Sequence, residues 1–355
     1  MKAKKLSALL LAVVMIFSLA ACGSKTPKTD PNATHIFTDS TGREVEVPAQ
    51  IDKVALSGPL AQIVLFALCP DKLVGVSNAW SSEAQEFLDE KYFNMPQIGQ
   101  LYGGKGELNL ETLLQSGAQV VIDVGESKGS IKEDMDSLQQ QTGIPFVHIS
   151  ADMQSYPQAY RMLGDLLGMK TEAEALATYC EKIYSRTETI ASGVEKANVL
   201  YVTGDMGQNV IAKGSYHAEI LDMLTNNLAQ VDEPSSKGTG NEVSMEQILT
   251  WNPDVVIFAP ESIYATVKDD AAWQSVTAIK NGAYYEVPFG PYNWMGFPPS
   301  VQRYLGMVWL SKLLYPDATA DYDLFADVQE YYKLFYHCDI TRAQYDALVA
   351  NSIGK

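Results

Sequence analysis

The sequence predicts an α/β protein. Two Rossmann-like lobes with mainly parallel sheets are joined by one long rigid helix, with a ligand cleft between the lobes. Three observations lead there. The first is a pattern that occurs twice, at Leu108–Ile122 and at Val243–Ile257, 135 residues apart. In each copy a capping residue (Asn109, Ser244) opens a short helix with a carboxylate in its first turn (Glu111, Glu246). A turn follows, then an apolar β-branched run that suits a strand buried on both faces. The second is that strand and helix patterns alternate around both copies, the rhythm of a parallel sheet. The third is a long helical stripe between them, with apolar or small residues at 173, 176, 177, 180, 183, 184, 187, 190 and 191. A helix over 171–192 would be roughly 33 Å long, enough to carry the chain from one lobe to the other. Twin lobes make a cleft, and clefts bind ligands.

The elements follow in order. Residues 1–21 carry a basic start and an apolar run from Leu6 to Ala21, too short to span a bilayer and ending in small residues before Cys22. This is a lipoprotein signal peptide pattern. Residues 22–35 are polar and contain prolines, and read as a flexible tether. The first lobe occupies 36–170. It opens on a hairpin over 36–48, turning at Asp39–Gly42. A strand at Val54–Leu56, a helix over 60–68 and a strand at Leu73–Val76 come next. The first repeat, a helix near 131–142 and a strand at Phe146–Ile149 complete the lobe. The connecting helix spans 171–193, from the Thr171–Glu174 capping box to Gly193. The second lobe covers 194–355, with a strand at Asn198–Thr203, a helix at His217–Thr225 and the second repeat. Trp273–Ala278 (helix), Ala283–Val287 (strand) and helices over 298–314 and 325–335 end it.

Composition excludes several classes. The formal charge is −17, and loss of the three signal lysines makes the mature chain more acidic still, so nucleic acid is not an expected partner. Cys69, Cys180 and Cys338 are dispersed and read as buried thiols, with one disulfide and one spare as the alternative. The reading identifies no serine elbow, no His-Glu-x-x-His helix and no paired acid/base pattern, so no enzyme, cofactor or resident metal is expected. Gly99–Gly106 nearly matches a phosphate-binding loop but lacks the Ser or Thr that would hold magnesium. His35, His148, His217 and His337 show no spacing that demands a metal.

The chain resembles the class III substrate-binding lipoproteins of ABC importers, the group of ferric-siderophore, haem and vitamin B12 binding proteins. The marks are Asp39–Pro48, the Asn-Leu-Glu and Ser-Met-Glu repeats, Ala278–Val287 and Pro298–Arg303, in that order behind the lipobox. The resemblance implies lipid on Cys22 and a place on the extracytoplasmic face of the bacterial cell membrane. It also implies a monomer that moves little on binding, and docking of Glu111 and Glu246 onto the permease. Its implied cargo is a metal chelate, iron favoured, with a molybdate-type oxyanion or a sensor or adhesion role as alternatives. Loops at the carboxyl edges of the strands supply the expected ligand contacts: Trp80, Tyr102, Tyr216, His217, Trp294 and Met295. The family often has an arginine just before the Pro-Pro-Ser element; here that place is Phe297, and Arg303 reads as structural.

Overall fold

The structure is a computed structural model that describes residues 33–102 and 107–353. The signal peptide, Cys22 and most of the tether lie outside the described residues, as do Gly103–Gly106 of the phosphate-loop-like segment.

The hairpin pairs β1 (Thr34–Thr38) with β2 (Glu44–Pro48). Its turn is built on buried Asp39, whose carboxylate accepts from the N–H groups of Thr41 (2.9 Å) and Arg43 (3.1 Å) and pairs with the Arg43 guanidinium at 3.0 Å. Burial works against that charge, but the hydrogen bonds from Thr41, Arg43 and His148 outweigh it and hold the carboxyl below its usual range.

The first sheet is parallel, in the order β3 (Val54–Leu56), β4 (Val120–Gly125), β5 (Phe146–Ser150). Helix α1 (Pro59–Leu68) follows β3, with its proline in the first turn, where a missing N–H costs nothing. Helix α2 (Leu110–Ser116) leads into β4, and α3 (Ile131–Thr142) crosses back to β5. The expected strand at Leu73–Val76 is reduced to isolated bridges, Val54 to Leu73 and Val76 to Gln97. Gly75 lies so tightly under Pro96 and Ile98 that a Cβ there would sit 2.6 Å from the Pro96 carbonyl oxygen. The close approach takes the place of regular pairing.

Helix α4 (Tyr156–Leu167) turns at Gly168 into α5 (Lys170–Gly193), the connector. The second sheet has six strands: β6 (Asn198–Thr203), β7 (Asn209–Val210), β8 (Asn226–Asn227), β9 (Asn241–Glu242), β10 (Val255–Phe258) and β11 (Tyr284–Glu286). Strands β11, β10, β6 and β8 are parallel neighbours, while β7 and β9 add an antiparallel edge. Helix α6 (Glu219–Leu224) is shorter than the expected 217–225, because Tyr216–Ala218 form a 3-10 turn. Helix α7 (Met245–Trp251) precedes β10 as α2 precedes β4. Asn109 caps Thr112 N–H at 3.0 Å and Ser244 caps Gln247 N–H at 3.2 Å. Each helix closes on a left-handed residue, Gly117 or Asn252. The closing helices are α8 (Arg303–Leu314), α9 (Leu324–Phe335) and α10 (Arg342–Leu348). Helix α8 starts five residues later than expected; Pro298 and Pro299 hold the entry out of helical form.

One apolar core runs without a break from the hairpin through the first sheet, α4 and α5, into α8 and α9. The outer face of each sheet carries its own smaller cluster. Cys69 and Cys180 are free and buried, and Cys338 is free and half-buried. Burial pushes the Cys69 thiol up to about 12.

Candidate functional site at the lobe junction

The loops at the carboxyl edges of the two sheets meet. Tyr216 donates to the Ala151 carbonyl (3.2 Å) just beyond β5, and Tyr304 donates to the Met153 carbonyl (2.7 Å). Gln62 on α1 donates to the Tyr292 hydroxyl at 3.1 Å, and Ser300 donates to the Leu60 carbonyl at 3.4 Å. These bonds tie first-lobe loops to second-lobe loops and define the floor of the junction.

On the first-lobe side, sheet register assembles a polar chain. Asp123 on β4 and His148 on β5 are register partners, so their side chains share a face. His148 is fully buried, and its Nδ1 lies 2.6 Å from Asp123 Oδ2. Ser57, at the end of β3, donates to the other Asp123 oxygen. With Nδ1–H committed to the carboxylate, Nε2 is an acceptor. Two hydroxyls approach it, Ser127 at 2.9 Å and Ser150 at 3.2 Å, and those hydroxyls lie 2.6 Å apart. The hairpin braces this strand: Ser40 N–H donates to the His148 carbonyl (2.9 Å), and His148 N–H donates to Asp39 (3.3 Å). Beyond β4 the chain reads Gly125-Glu-Ser-Lys-Gly129. That is a Gly-x-Ser-x-Gly spacing, contrary to the expectation of none, in a strand–turn–helix setting, but Ser127 keeps an ordinary negative φ and the helix begins only at Ile131, so the spacing is present without the strained elbow. The N–H groups of residues 127–130 take no hydrogen-bond acceptor among the described residues.

On the second-lobe side, Arg303 begins α8, fully buried. Its Nη1 donates to the Tyr216 carbonyl at 3.0 Å and pairs with Glu219 at 2.6 Å, and the guanidinium lies 4.8 Å from the centre of the Tyr216 ring. Its Nε and Nη2 are buried without an acceptor among the described residues. Burial opposes the charge, yet Tyr216, Glu219 and Tyr156 together hold the guanidinium above its ordinary value. His217 is held below the ordinary histidine range, chiefly by burial; Glu126 of the first lobe favours its charged form and Arg303 opposes it. The Ser127 hydroxyl lies 2.6 Å from that of Ser150, whose neighbour Ala151 accepts from Tyr216 of the second lobe, which places the turn after β4 beside the junction.

The residues expected to touch ligand divide into two groups. Tyr216 and His217 lie at the junction. Tyr102 lies at its first-lobe rim, its carbonyl beside Gly58 and its hydroxyl 2.5 Å from Asp134. Trp80, Trp294 and Met295 are packed inside the chain. Trp80 is 6% exposed, donates from its indole to the Tyr92 carbonyl (3.0 Å) and packs edge-on against Phe66. Trp294 and Met295 are 0% and 1% exposed. Phe297, which takes the place of the arginine, is exposed and lies against Gly238 beside His217. Glu111 and Glu246 both stand exposed in the first turns of α2 and α7, on the twin units. Among the described residues, no group of three His, Cys, Asp or Glu side chains gathers around a metal position.

Residues 54–290 match the family model described as periplasmic binding protein. The chain belongs to this family. It is a periplasmic binding protein of an ABC importer, and its place of action is extracytoplasmic. Among curated relatives, it is 24% identical to the molybdate-binding protein MolA of Haemophilus influenzae, over 90% of this chain and 95% of that one. Among solved structures, an ABC transporter solute binding protein from Sulfurospirillum deleyianum superposes with a TM-score of 0.81 at 26% identity. That match covers 89% of this chain and 99% of the other. The structure of MolA bound to molybdate superposes with a TM-score of 0.68 at 20% identity, over 86% and 99%.

Proposed function

We propose that this periplasmic binding protein captures a compact oxyanion of the molybdate type at the lobe junction and delivers it to a permease. The observation that carries this reading is the concentration of unspent N–H donors there. Four backbone N–H groups at 127–130 on one side, and two N–H groups of buried Arg303 on the other, take no acceptor among the described residues. The Arg303 donors are buried, where a donor left unmade is costly, while those at 127–130 are exposed and free to meet a ligand; an oxyanion offers acceptors in every direction. The aromatic residues that would have made a platform for a large planar cargo, Trp80 and Trp294, are instead spent on the core. Similarity to a molybdate-binding relative supports the same class.

A second reading, an iron chelate, is favoured by exposed Phe297 beside His217, an aromatic face free to meet a bulky ligand. Titration by calorimetry against molybdate, tungstate, ferric chelates, haem and cobalamin separates the two. Saturable binding of molybdate or tungstate is expected. Binding of a chelate with no response to either oxyanion would overturn the first reading in favour of the second.

The delivery half of the proposal rests on the twin carboxylates. Two equivalent acids on two equivalent lobes suit a partner built with twofold symmetry, and Glu111 and Glu246 are assigned to that contact. Lipid on Cys22 would keep the protein beside its permease.

A further inference from the structure

We infer that Ser127 is a nucleophile, activated by His148 and Asp123, and that the junction hydrolyses carboxylic esters in addition to binding its cargo. This goes beyond capture and delivery, though both use the same loop after β4.

Four features support it independently. The spacing Gly125-Glu-Ser-Lys-Gly129 lies between a buried strand and an α-helix, where a serine projects from the carboxyl edge of the sheet. The Ser127 hydroxyl is 2.9 Å from His148 Nε2, and Nδ1 is 2.6 Å from Asp123, so nucleophile, base and orienting carboxylate form one continuous chain. Ser127 is exposed and its hydroxyl sits directly over Nε2 of the buried His148, so a ligand bound at the hydroxyl meets the base at the same point. Finally, the N–H groups of Lys128 and Gly129, directly after the serine, donate to no acceptor among the described residues. Such donors are what a developing oxyanion requires.

The chemistry balances without any added reagent except water. Ser127 Oγ attacks the ester carbonyl carbon, and its proton passes to His148 Nε2. Asp123 holds the ring in the required tautomer and stabilises the imidazolium. The bond to the alcohol oxygen breaks, and that oxygen leaves with the proton from Nε2. Water then attacks the acyl-Ser127 carbonyl, giving its proton to Nε2, and the carboxylic acid departs as Ser127 Oγ takes that proton back. Glu126 and Lys128 flank the serine with opposite charges, so the turn imposes no charge on the substrate, and the class is carboxylic esters or lactones. Ser57 and Ser150 are positioning residues: the first fixes Asp123, the second competes for Nε2.

The test uses the purified protein with p-nitrophenyl acetate as substrate and a fluorophosphonate as trapping reagent. The expected result is ester turnover above background and a single mass addition that maps to Ser127. Ser127→Ala should abolish the labelling and lower turnover by about 10²-fold, the usual scale of acid–base assistance. Ser127 is at the surface, so this variant keeps the fold, which circular dichroism verifies. Asp123→Asn should slow labelling at Ser127 and leave its final extent unchanged, a split that mere unfolding would not give. Turnover equal in wild type and Ser127→Ala, or label on Ser150 in place of Ser127, would overturn the inference. Loss of molybdate binding in Ser127→Ala without any ester chemistry would make Ser127 a ligand contact only, overturning the inference while leaving the oxyanion reading intact.

Discussion

Glu219 is the only carboxylate paired with Arg303 among the described residues, and the pair allows a worked prediction. Glu219→Gln removes the charge and keeps the shape. The guanidinium then remains fully buried, with the Tyr216 carbonyl at 3.0 Å and the Tyr216 ring at 4.8 Å as its remaining described partners. Breaking a buried pair by neutralising one member costs about 3–5 kcal/mol. The Glu219 side chain is 32% exposed, so water already screens part of the attraction, and the ring contact persists at about 1 kcal/mol. The expected loss is therefore about 2–3 kcal/mol. Urea unfolding reads it as a lower midpoint at unchanged slope. The double variant Glu219→Leu with Arg303→Met should recover most of the loss, since apolar residues of similar volume replace a buried pair at little cost. A loss below about 0.5 kcal/mol, the scale of a surface ion pair, would refute the view of Arg303 as a desolvated cation.

Two further predictions concern pH and delivery. His217 is held below its ordinary value by burial. Below about pH 6.5, the ordinary histidine value, the unfolded chain binds a proton that the folded one resists, so stability falls as pH drops through that window. His217→Gln should flatten that acid slope in urea midpoints measured from pH 7.5 to 5, and an unchanged slope would clear His217 of the effect. Glu246→Arg should leave oxyanion affinity within twofold of wild type and abolish uptake of radiolabelled oxyanion in cells; full uptake would remove Glu246 from the docking surface.

The lobes were legible because their signals are local and repeated. Capping residues Asn109 and Ser244 and the runs at Val120 and Val255 each fix a helix start and a strand without help from distant residues. The connector was legible for the same reason, its stripe outrunning any loop. What failed was local order under tertiary pressure. The segment at 73–76 has strand-forming residues, but Gly75 is pressed under Pro96 and Ile98. The site was far less legible. An aromatic beside Gly and Pro looks the same in sequence whether it bridges to the other lobe, as Tyr216 does, or is absorbed by Phe66, as Trp80 is. Arg303 read as an ordinary helix residue, because the packing that makes it notable comes largely from Tyr216, 87 residues away in the chain. Asp123 and His148 meet only through sheet register, which no spacing along the chain reports. The glycines at 125 and 129 mark the turn that carries Ser127, but their spacing alone does not bring it to His148.

The connector α5 is braced along its length. Arg186 holds Asp327 of α9 through two hydrogen bonds (3.0 and 2.7 Å), Lys182 holds Glu330 at 2.5 Å, and α5 also packs on α4, α8 and α1. A rod fastened to helices of both lobes behaves as the beam of a caliper: the gap between its jaws is set when the chain folds. With such a beam, the span from Glu111 to Glu246 is expected to be nearly the same in the empty and the loaded protein. A permease gripping both jaws would learn little about cargo from their separation. News of occupancy would then travel by finer routes, such as a change of charge at the junction.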